Sequence, residues 1–192
     1  MRLVALGDSL TAGYGLAEGE GFVPQLQAWL QAQGRAVTVV NAGVSGDTTA
    51  GGLARLDWTL AEPADAMIVT LGGNDLLRGI DPAASKANLD AILTGAAARG
   101  IAVLLMPMEA PGNYGPAYKQ TFDAMYAELA ARHGVLLGEP FLKPLVRGET
   151  ERSIMRELMQ ADGIHPNKEG VAKIVEGMGP KVLELLNAAA KS

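Results

Sequence analysis

The chain has 192 residues, 48% of them hydrophobic and 19% charged, which is the composition of a folded globular domain rather than a disordered chain. Its net charge of -5, without a cluster of Lys and Arg, argues against a nucleic-acid partner. Because the cysteine count is 0, a thiol nucleophile, a disulfide framework and a cysteine metal site are all excluded.

Short aliphatic runs alternate with longer segments of helical periodicity along the chain. The runs that predict buried strands are Leu3–Leu6, Val37–Val40, Met67–Leu71, Ile101–Met106 and Val135–Leu137. The segments that predict helices are Phe22–Gln33, Thr48–Leu60, Ala83–Arg99 and Pro116–His133. We expect a final helix from about Asn167 to Ala190, bent or broken at Gly177 and Gly179-Pro180. This alternation predicts an α/β fold with a parallel five-stranded sheet and helices on both faces, as a single domain over residues 1–192.

Glycine and small polar residues cluster where the leading strands end. These segments are Gly7–Thr11, Asn41–Thr48, Gly72–Asp75 and the stretch from Pro107 to Gly115. In an open parallel sheet, ligands bind outside the carboxyl ends of the strands. We therefore expect the functional site at this edge.

Three residues have the types that a serine hydrolase needs. Ser9 follows the strand break at Gly7, and His165 is one of only 2 histidines in the chain. A serine hydroxyl is a poor nucleophile until a base takes its proton, and a carboxylate such as Asp162 must orient that base. The chain order Ser, Asp, His occurs in known triads.

Donors for the oxyanion of a tetrahedral intermediate are also available at this edge. Ser9 offers its backbone N–H, and Gly46 brings a second N–H close to a ligand because it has no side chain. Asn74 follows two glycines and presents its side-chain amide as a third donor.

Each of these residues also has a purely structural explanation. Ser9 and Asp162 could cap turns, and His165 could be an ordinary loop histidine. His133, which precedes Gly134, is interpreted as a helix-end residue, and two separated histidines argue against a metal site. Three further acidic residues are interpreted as loop-bracing groups: Asp8, Asp47 and Asp75. The ordered set at one sheet edge favours the functional explanation.

The motifs resemble those of the SGNH (GDSL) hydrolase family, in family order from about Leu3 to Leu186. The strings that carry the resemblance are Gly-Asp-Ser-Leu-Thr-Ala-Gly-Tyr, Ser-Gly-Asp-Thr, Leu-Gly-Gly-Asn-Asp, Asn-Tyr-Gly and Asp-Gly-Ile-His-Pro. They are most similar to the bacterial arylesterase and thioesterase/lysophospholipase branch. The resemblance implies a flavodoxin-like, three-layer α/β/α hydrolase without metal or cofactor. It assigns a triad of Ser9, Asp162 and His165 and an oxyanion hole of Ser9, Gly46 and Asn74.

The loop from Met108 to Gly115 follows the fourth predicted strand, and we expect it to form one side of a pocket for the acyl group. We expect Met108, Pro111 and Tyr114 to contact substrate, together with Leu10 and Ile164. A pocket walled by one such loop predicts a preference for acetyl to hexanoyl esters. Alternatively, the loop is a surface connection and Tyr114 only packs on the next helix.

The sequence thus predicts a serine esterase that hydrolyses short-chain aryl or alkyl esters, with a small-molecule ester as its partner and a monomer as the default state. An acyl-CoA thioesterase or a lysophospholipase could use the same site. A non-catalytic flavodoxin-type module that binds phosphate or flavin is the alternative of another class. However, the Gly13-Tyr14-Gly15 stretch lacks the third glycine of the dinucleotide fingerprint.

The compartment is predicted only by resemblance, which implies the periplasm or the extracellular space. Because only Met1 and Arg2 precede the first predicted strand, we expect no signal peptide in the chain as given, and a cytoplasmic location stays open. The apolar runs are shorter than the ~20 residues that span a bilayer, so no stable membrane insertion is expected.

Overall fold

The computed structural model describes residues 1–146 and 157–191. Within them, parallel strands form one sheet: β1 (Arg2–Gly7), β2 (Thr38–Gly43), β3 (Ala66–Thr70), β4 (Ala102–Leu105) and β5 (Leu136–Leu137). The strand order is β2-β1-β3-β4-β5. This order reverses direction between β1 and β3, which opens a crevice at the carboxyl ends of these two strands.

Helices connect the strands and cover the sheet. They are α1 (Ser9–Ala12), α2 (Phe22–Ala32), α3 (Thr49–Ala54), α4 (Leu56–Thr59), α5 (Gly73–Leu77), α6 (Pro82–Ala97), α7 (Pro116–His133) and α8 (Lys168–Ala189), with a 3₁₀ turn at Lys143–Leu145. Helix α2 packs on α8, whereas α6 packs on α3 and α7. These two groups form the outer layers, so the predicted three-layer α/β/α fold is confirmed.

The sheet is buried most completely along its two central strands. Residues 3–6 of β1 and 66–69 of β3 are at most 1% exposed. Strands covered on both faces need continuous apolar runs, which is why these segments were recognisable in the sequence. No helix in the described ranges combines the length and apolar character needed to cross a bilayer.

The single helix predicted for Thr48–Leu60 is wrong, because α3 and α4 meet at Arg55 instead. Arg55 has φ -105° and ψ 7°, outside the helical range, and it ends one helix and precedes the next. Its side chain points back to Gly7 and Asp47, so tertiary contacts at this position interrupt the helical path.

The break predicted within the final helix is also absent, since α8 continues through Pro180. A Cβ on Gly179 would overlap the indole of Trp29, and one on Gly177 would overlap Pro144. These glycines allow close packing of α8 against its neighbours. That packing outweighs the one hydrogen bond that a proline removes from a helix.

Candidate active site

Ser9 is the first residue of α1, directly beyond the carboxyl end of β1. The turn between them is tight, and a Cβ on Gly7 would overlap the Thr11 side chain. The Asp8 carboxylate caps the helix by accepting a hydrogen bond from the Leu10 N–H at 3.0 Å. The Ser9 hydroxyl is therefore held at the rim of the crevice.

The structure brings the predicted triad residues into one hydrogen-bonded chain. His165 Nε2 lies 2.9 Å from Ser9 Oγ, although the two residues are 156 positions apart. The other ring nitrogen, Nδ1, lies 2.6 Å from Asp162 Oδ2. This arrangement leaves Nε2 as the nitrogen that can accept the serine proton.

Asp162 is held by its own loop. Its Oδ1 accepts hydrogen bonds from the backbone N–H groups of Ile164 and His165 at 2.9 and 3.0 Å. The backbone N–H of His165, followed by its ring and by the N–H of Ile164, lowers the pKa of Asp162 to about 2. The carboxylate therefore stays charged throughout the neutral and mildly acidic range.

The three predicted oxyanion donors also meet at the crevice. Ser9 is at the first position of a helix, where a backbone N–H has no partner within the helix. Gly46 has a φ of +83°, a conformation that favours glycine, and it lines the cleft together with Asn74. Asn74 Nδ2 donates to the carbonyl oxygen of Asp47 at 2.9 Å and faces Asp8 Oδ2 at 3.3 Å.

Asp8 is a second carboxylate in the site, only 2% exposed. Burial raises its pKa to about 6, against the lowering effects of the Leu10 N–H, the nearby His165 charge and the Asn74 amide. The three acidic residues interpreted as loop-bracing do make such contacts. Asp47 pairs with Arg55, and Asp75 accepts hydrogen bonds from Thr49 and Ser85.

A cleft of about 550 Å³ opens beside Ser9. All five residues predicted to contact substrate line it, namely Leu10, Met108, Pro111, Tyr114 and Ile164. Tyr114 also packs on Tyr118 of α7, with ring centroids 5.1 Å apart, so this residue both lines the cleft and packs on the next helix. Three further apolar residues of the lining, Phe141, Leu142 and Val146, were not predicted.

Sequence reasoning also missed two residues that hold the histidine. The Tyr14 ring lies against the His165 ring, with centroids 4.7 Å apart. Gln160 Nε2 donates to the carbonyl oxygens of Tyr14 and Pro166 at 2.8 and 3.0 Å, and the Gln160 backbone N–H donates to His165 O at 2.8 Å. The only available signal was the position of Tyr14 beside the serine motif.

Comparisons with known proteins identify the family of the chain. Residues 5–173 match the GDSL-like lipase/acylhydrolase family. Esterase TesA of Pseudomonas aeruginosa is 42% identical over 185 residues, which cover 96% of this chain and 89% of that protein. An Escherichia coli protein named thioesterase 1/protease 1/lysophospholipase L1 is 36% identical over 191 residues, covering 96% of this chain and 85% of its own length.

A solved structure shares the fold closely. The psychrotrophic esterase EstA from Pseudoalteromonas sp., inhibited by monoethylphosphonate, superposes with a TM-score of 0.87 at 32% identity, covering 97% of this chain and 98% of that one. The predicted family is thus confirmed. The chain belongs to the GDSL-like lipase/acylhydrolase family of SGNH hydrolases.

Proposed function

We propose that this protein is a serine esterase that hydrolyses small carboxylic esters through an acyl-enzyme. The observation that carries the proposal is the continuous hydrogen-bonded chain from Asp162 through His165 to Ser9 Oγ, which ends at an apolar cleft. Family membership favours a hydrolase over a flavodoxin-type binding module.

The geometry supports the following sequence of steps. His165 Nε2 takes the proton of Ser9 as Oγ attacks the acyl carbonyl, and Asp162 stabilises the imidazolium that forms. The imidazolium then protonates the leaving alcohol. Water attacks the acyl-enzyme in the same way, with His165 acting again as base and then as acid.

The developing oxyanion needs donors that strengthen their contacts in the transition state. The N–H groups of Ser9 and Gly46 supply two. For Asn74, the 2.9 Å bond to Asp47 O fixes the amide plane, while the longer 3.3 Å contact with Asp8 is the weaker one. We infer that the amide hydrogen facing Asp8 is the one that donates to the oxyanion, in place of its longer contact with Asp8.

The size of the cleft bears on the substrate. At roughly 30 Å³ for a group the size of a water molecule, about 550 Å³ holds more than an acetyl or hexanoyl group alone. We propose that the wall with Met108 and Tyr114 contacts the acyl chain and that the wall with Phe141 and Leu142 contacts the leaving group. The preference for short acyl chains stays a prediction.

The volume of the cleft, which leaves room for a larger leaving group, favours a second candidate function. A cleft of about 550 Å³ could take a thioester or a lysophospholipid, and the name of the Escherichia coli relative includes both activities. The periplasmic or extracellular compartment and the monomeric state remain predictions.

The test is hydrolysis of p-nitrophenyl esters and matched acyl thioesters from C2 to C12. We expect Ser9→Ala to lose nearly all activity, and the Ser45→Ala control, a neighbouring cleft serine, to lose little. A folded Ser9→Ala protein that keeps more than about a tenth of wild-type kcat overturns the proposal, since removing the nucleophile of a serine protease costs ~10⁶ in kcat. Parallel chain-length profiles for wild type and Tyr114→Ala would remove Tyr114 from the acyl site.

A further inference from the structure

Arg55 joins α3 to α4, and its guanidinium contacts three different segments. Nε lies 2.6 Å from Asp47 Oδ2, and Nη2 donates to the carbonyl oxygen of Gly7 at 2.9 Å. Nη1 lies 3.4 Å from Thr59 Oγ1. The Arg55 and Asp47 side chains are 17% and 16% exposed, so this ion pair is largely shielded from water.

Two of these contacts lie next to the oxyanion donors. Gly7 precedes the Asp8-Ser9 pair, and its carbonyl is the last polar group of β1 before the nucleophile turn. Asp47 directly follows Gly46, and its carbonyl accepts the 2.9 Å hydrogen bond from Asn74. One guanidinium therefore connects the segments that carry the Ser9 N–H and the Gly46 N–H, and it is linked to the Asn74 amide indirectly, through the carbonyl of Asp47.

We propose that Arg55 is a positioning residue that sets the spacing of the three oxyanion donors. The inference rests on the esterase function proposed above. A planar guanidinium binds a carboxylate and a carbonyl at a fixed separation, which a flexible ammonium cannot do. Because a displacement of about 1 Å in a catalytic group can cost ~10²-fold in rate, the spacing of these segments matters for the transition state.

A purely structural role makes a different prediction. If Arg55 only ties α3 to β1, its removal lowers thermal stability and leaves the rate of the folded enzyme unchanged. If Arg55 positions the oxyanion hole, its removal lowers kcat and leaves KM nearly unchanged, because the cleft that binds the ground state does not include it.

The first experiment compares Arg55→Ala and Arg55→Lys with wild type on a p-nitrophenyl ester. We expect kcat to fall about 30- to 100-fold in Arg55→Ala and about 10-fold in Arg55→Lys, with KM changed less than about threefold. The control is Arg99→Ala, which removes a more exposed ion pair of the same 2.6 Å length, with Asp57, away from the cleft. We expect this control to keep wild-type kcat.

Two further measurements separate positioning from general destabilisation. Added guanidinium ion should restore part of the kcat of Arg55→Ala, and affinity for a reversible alkyl boronic acid should fall in parallel with kcat/KM. In an Asn74→Ala background, Arg55→Ala should cost clearly less than it does in wild type, because both changes act on the same hole.

Unchanged kcat in the folded Arg55 variants would overturn the proposal. So would a double variant with Asn74→Ala whose loss of kcat equals the product of the two single losses. If Arg55→Ala does not fold, Arg55→Lys decides, since it keeps the charge beside Asp47 and loses the second contact. Ser9→Ala is assayed in parallel. An active Ser9→Ala protein overturns the esterase function itself, whereas an inactive one with unchanged Arg55 variants overturns only the positioning role.

Discussion

The molecule contains two histidine–aspartate pairs that look alike and differ in what surrounds them. His165 lies 2.6 Å from Asp162, and His133 lies 2.8 Å from Asp90. Both imidazole side chains are largely buried, at 15% and 14% exposed. Local geometry alone does not distinguish a catalytic pair from a structural one.

The two pairs differ in what the second ring nitrogen of the histidine contacts and in where the pair lies in the fold. His165 uses Nδ1 for its carboxylate, which leaves Nε2 facing Ser9. His133 uses Nε2 for Asp90 and lies at the end of α7, just before the amino end of β5. Asp90 also binds Arg132 at 3.0 Å, and these contacts, with that of His133 the largest, lower its pKa. The His165 pair thus lies beside a serine hydroxyl at the carboxyl ends of the strands, whereas the His133 pair lies at the opposite edge of the sheet.

The two pairs should differ most when each imidazole is removed in turn. We expect His165→Gln to lower kcat at least about 10⁴-fold, because no base remains for Ser9. His133→Gln should keep kcat within about twofold and cost about 0.5–1.5 kcal/mol of stability, the net contribution of a typical side-chain hydrogen bond. Ester hydrolysis and thermal unfolding of both variants test this. Similar activity in the two would mean that His165 is not the base.

A smaller loss is expected when each carboxylate becomes an amide. In Asp162→Asn, Oδ1 still accepts the two backbone N–H groups, but the new NH₂ donates to Nδ1 and stabilises the wrong tautomer. The same change in a serine protease triad costs ~10⁴ in kcat, and we expect ~10³–10⁴ here. Asp90→Asn is the control and should leave kcat unchanged. A loss below tenfold in Asp162→Asn would contradict the orienting role.

The pair of His165 and Asp162 also has a buried carboxylate nearby, Asp8, whose pKa is raised to about 6 by burial. Folding then favours its protonated form, so stability falls as pH rises from about 4 to about 6, by roughly 2–3 kcal/mol. The effect of Asp162 has the opposite sign and is confined below about pH 4. Urea denaturation of wild type and Asp8→Asn between pH 4 and 7 should show that the free energy of unfolding declines with pH only in wild type. The same pH dependence in both proteins would contradict a raised pKa of Asp8.

The smallest effect is expected at Tyr14, whose ring lies 4.7 Å from that of His165. An imidazolium that forms beside an aromatic face is stabilised by about 0.5–1 kcal/mol. Tyr14→Leu should therefore lower kcat about two- to fivefold, and Tyr14→Phe should stay near wild type. Steady-state kinetics of the two variants make the test, and a loss in Tyr14→Phe equal to that in Tyr14→Leu would assign the effect to the hydroxyl.

Much of the fold was predictable because burial imposes a pattern on the sequence. The predicted strand Leu3–Leu6 lies within β1, and the predicted helix Phe22–Gln33 matches α2 to within one residue. The errors at Arg55 and Pro180 arise where a contact distant in sequence outweighs the local preference. The backbone of Arg55 departs from helical geometry, and its side chain contacts Gly7. Near Pro180, the missing side chain of Gly179 leaves room for the indole of Trp29.

The predicted triad and oxyanion residues were recognisable because each lies in a short motif at a strand or helix end. Their supporting residues have no such motif. Gln160 donates to the carbonyl of Tyr14 across 146 positions, and Phe141 reaches the cleft from a segment with no distinctive residue type. Such roles depend on tertiary packing, which a single sequence does not display.

The separation of Ser9 and His165 by 156 positions has a consequence for protein synthesis. In the proposed mechanism, the ribosome releases the nucleophile near the beginning of translation and its base near the end. A nascent chain that has completed β1 to β4 then carries Ser9, Gly46 and Asn74 without the proposed base. Ester hydrolysis by the proposed triad would therefore begin only after the loop with Asp162 and His165 has left the ribosome and docked.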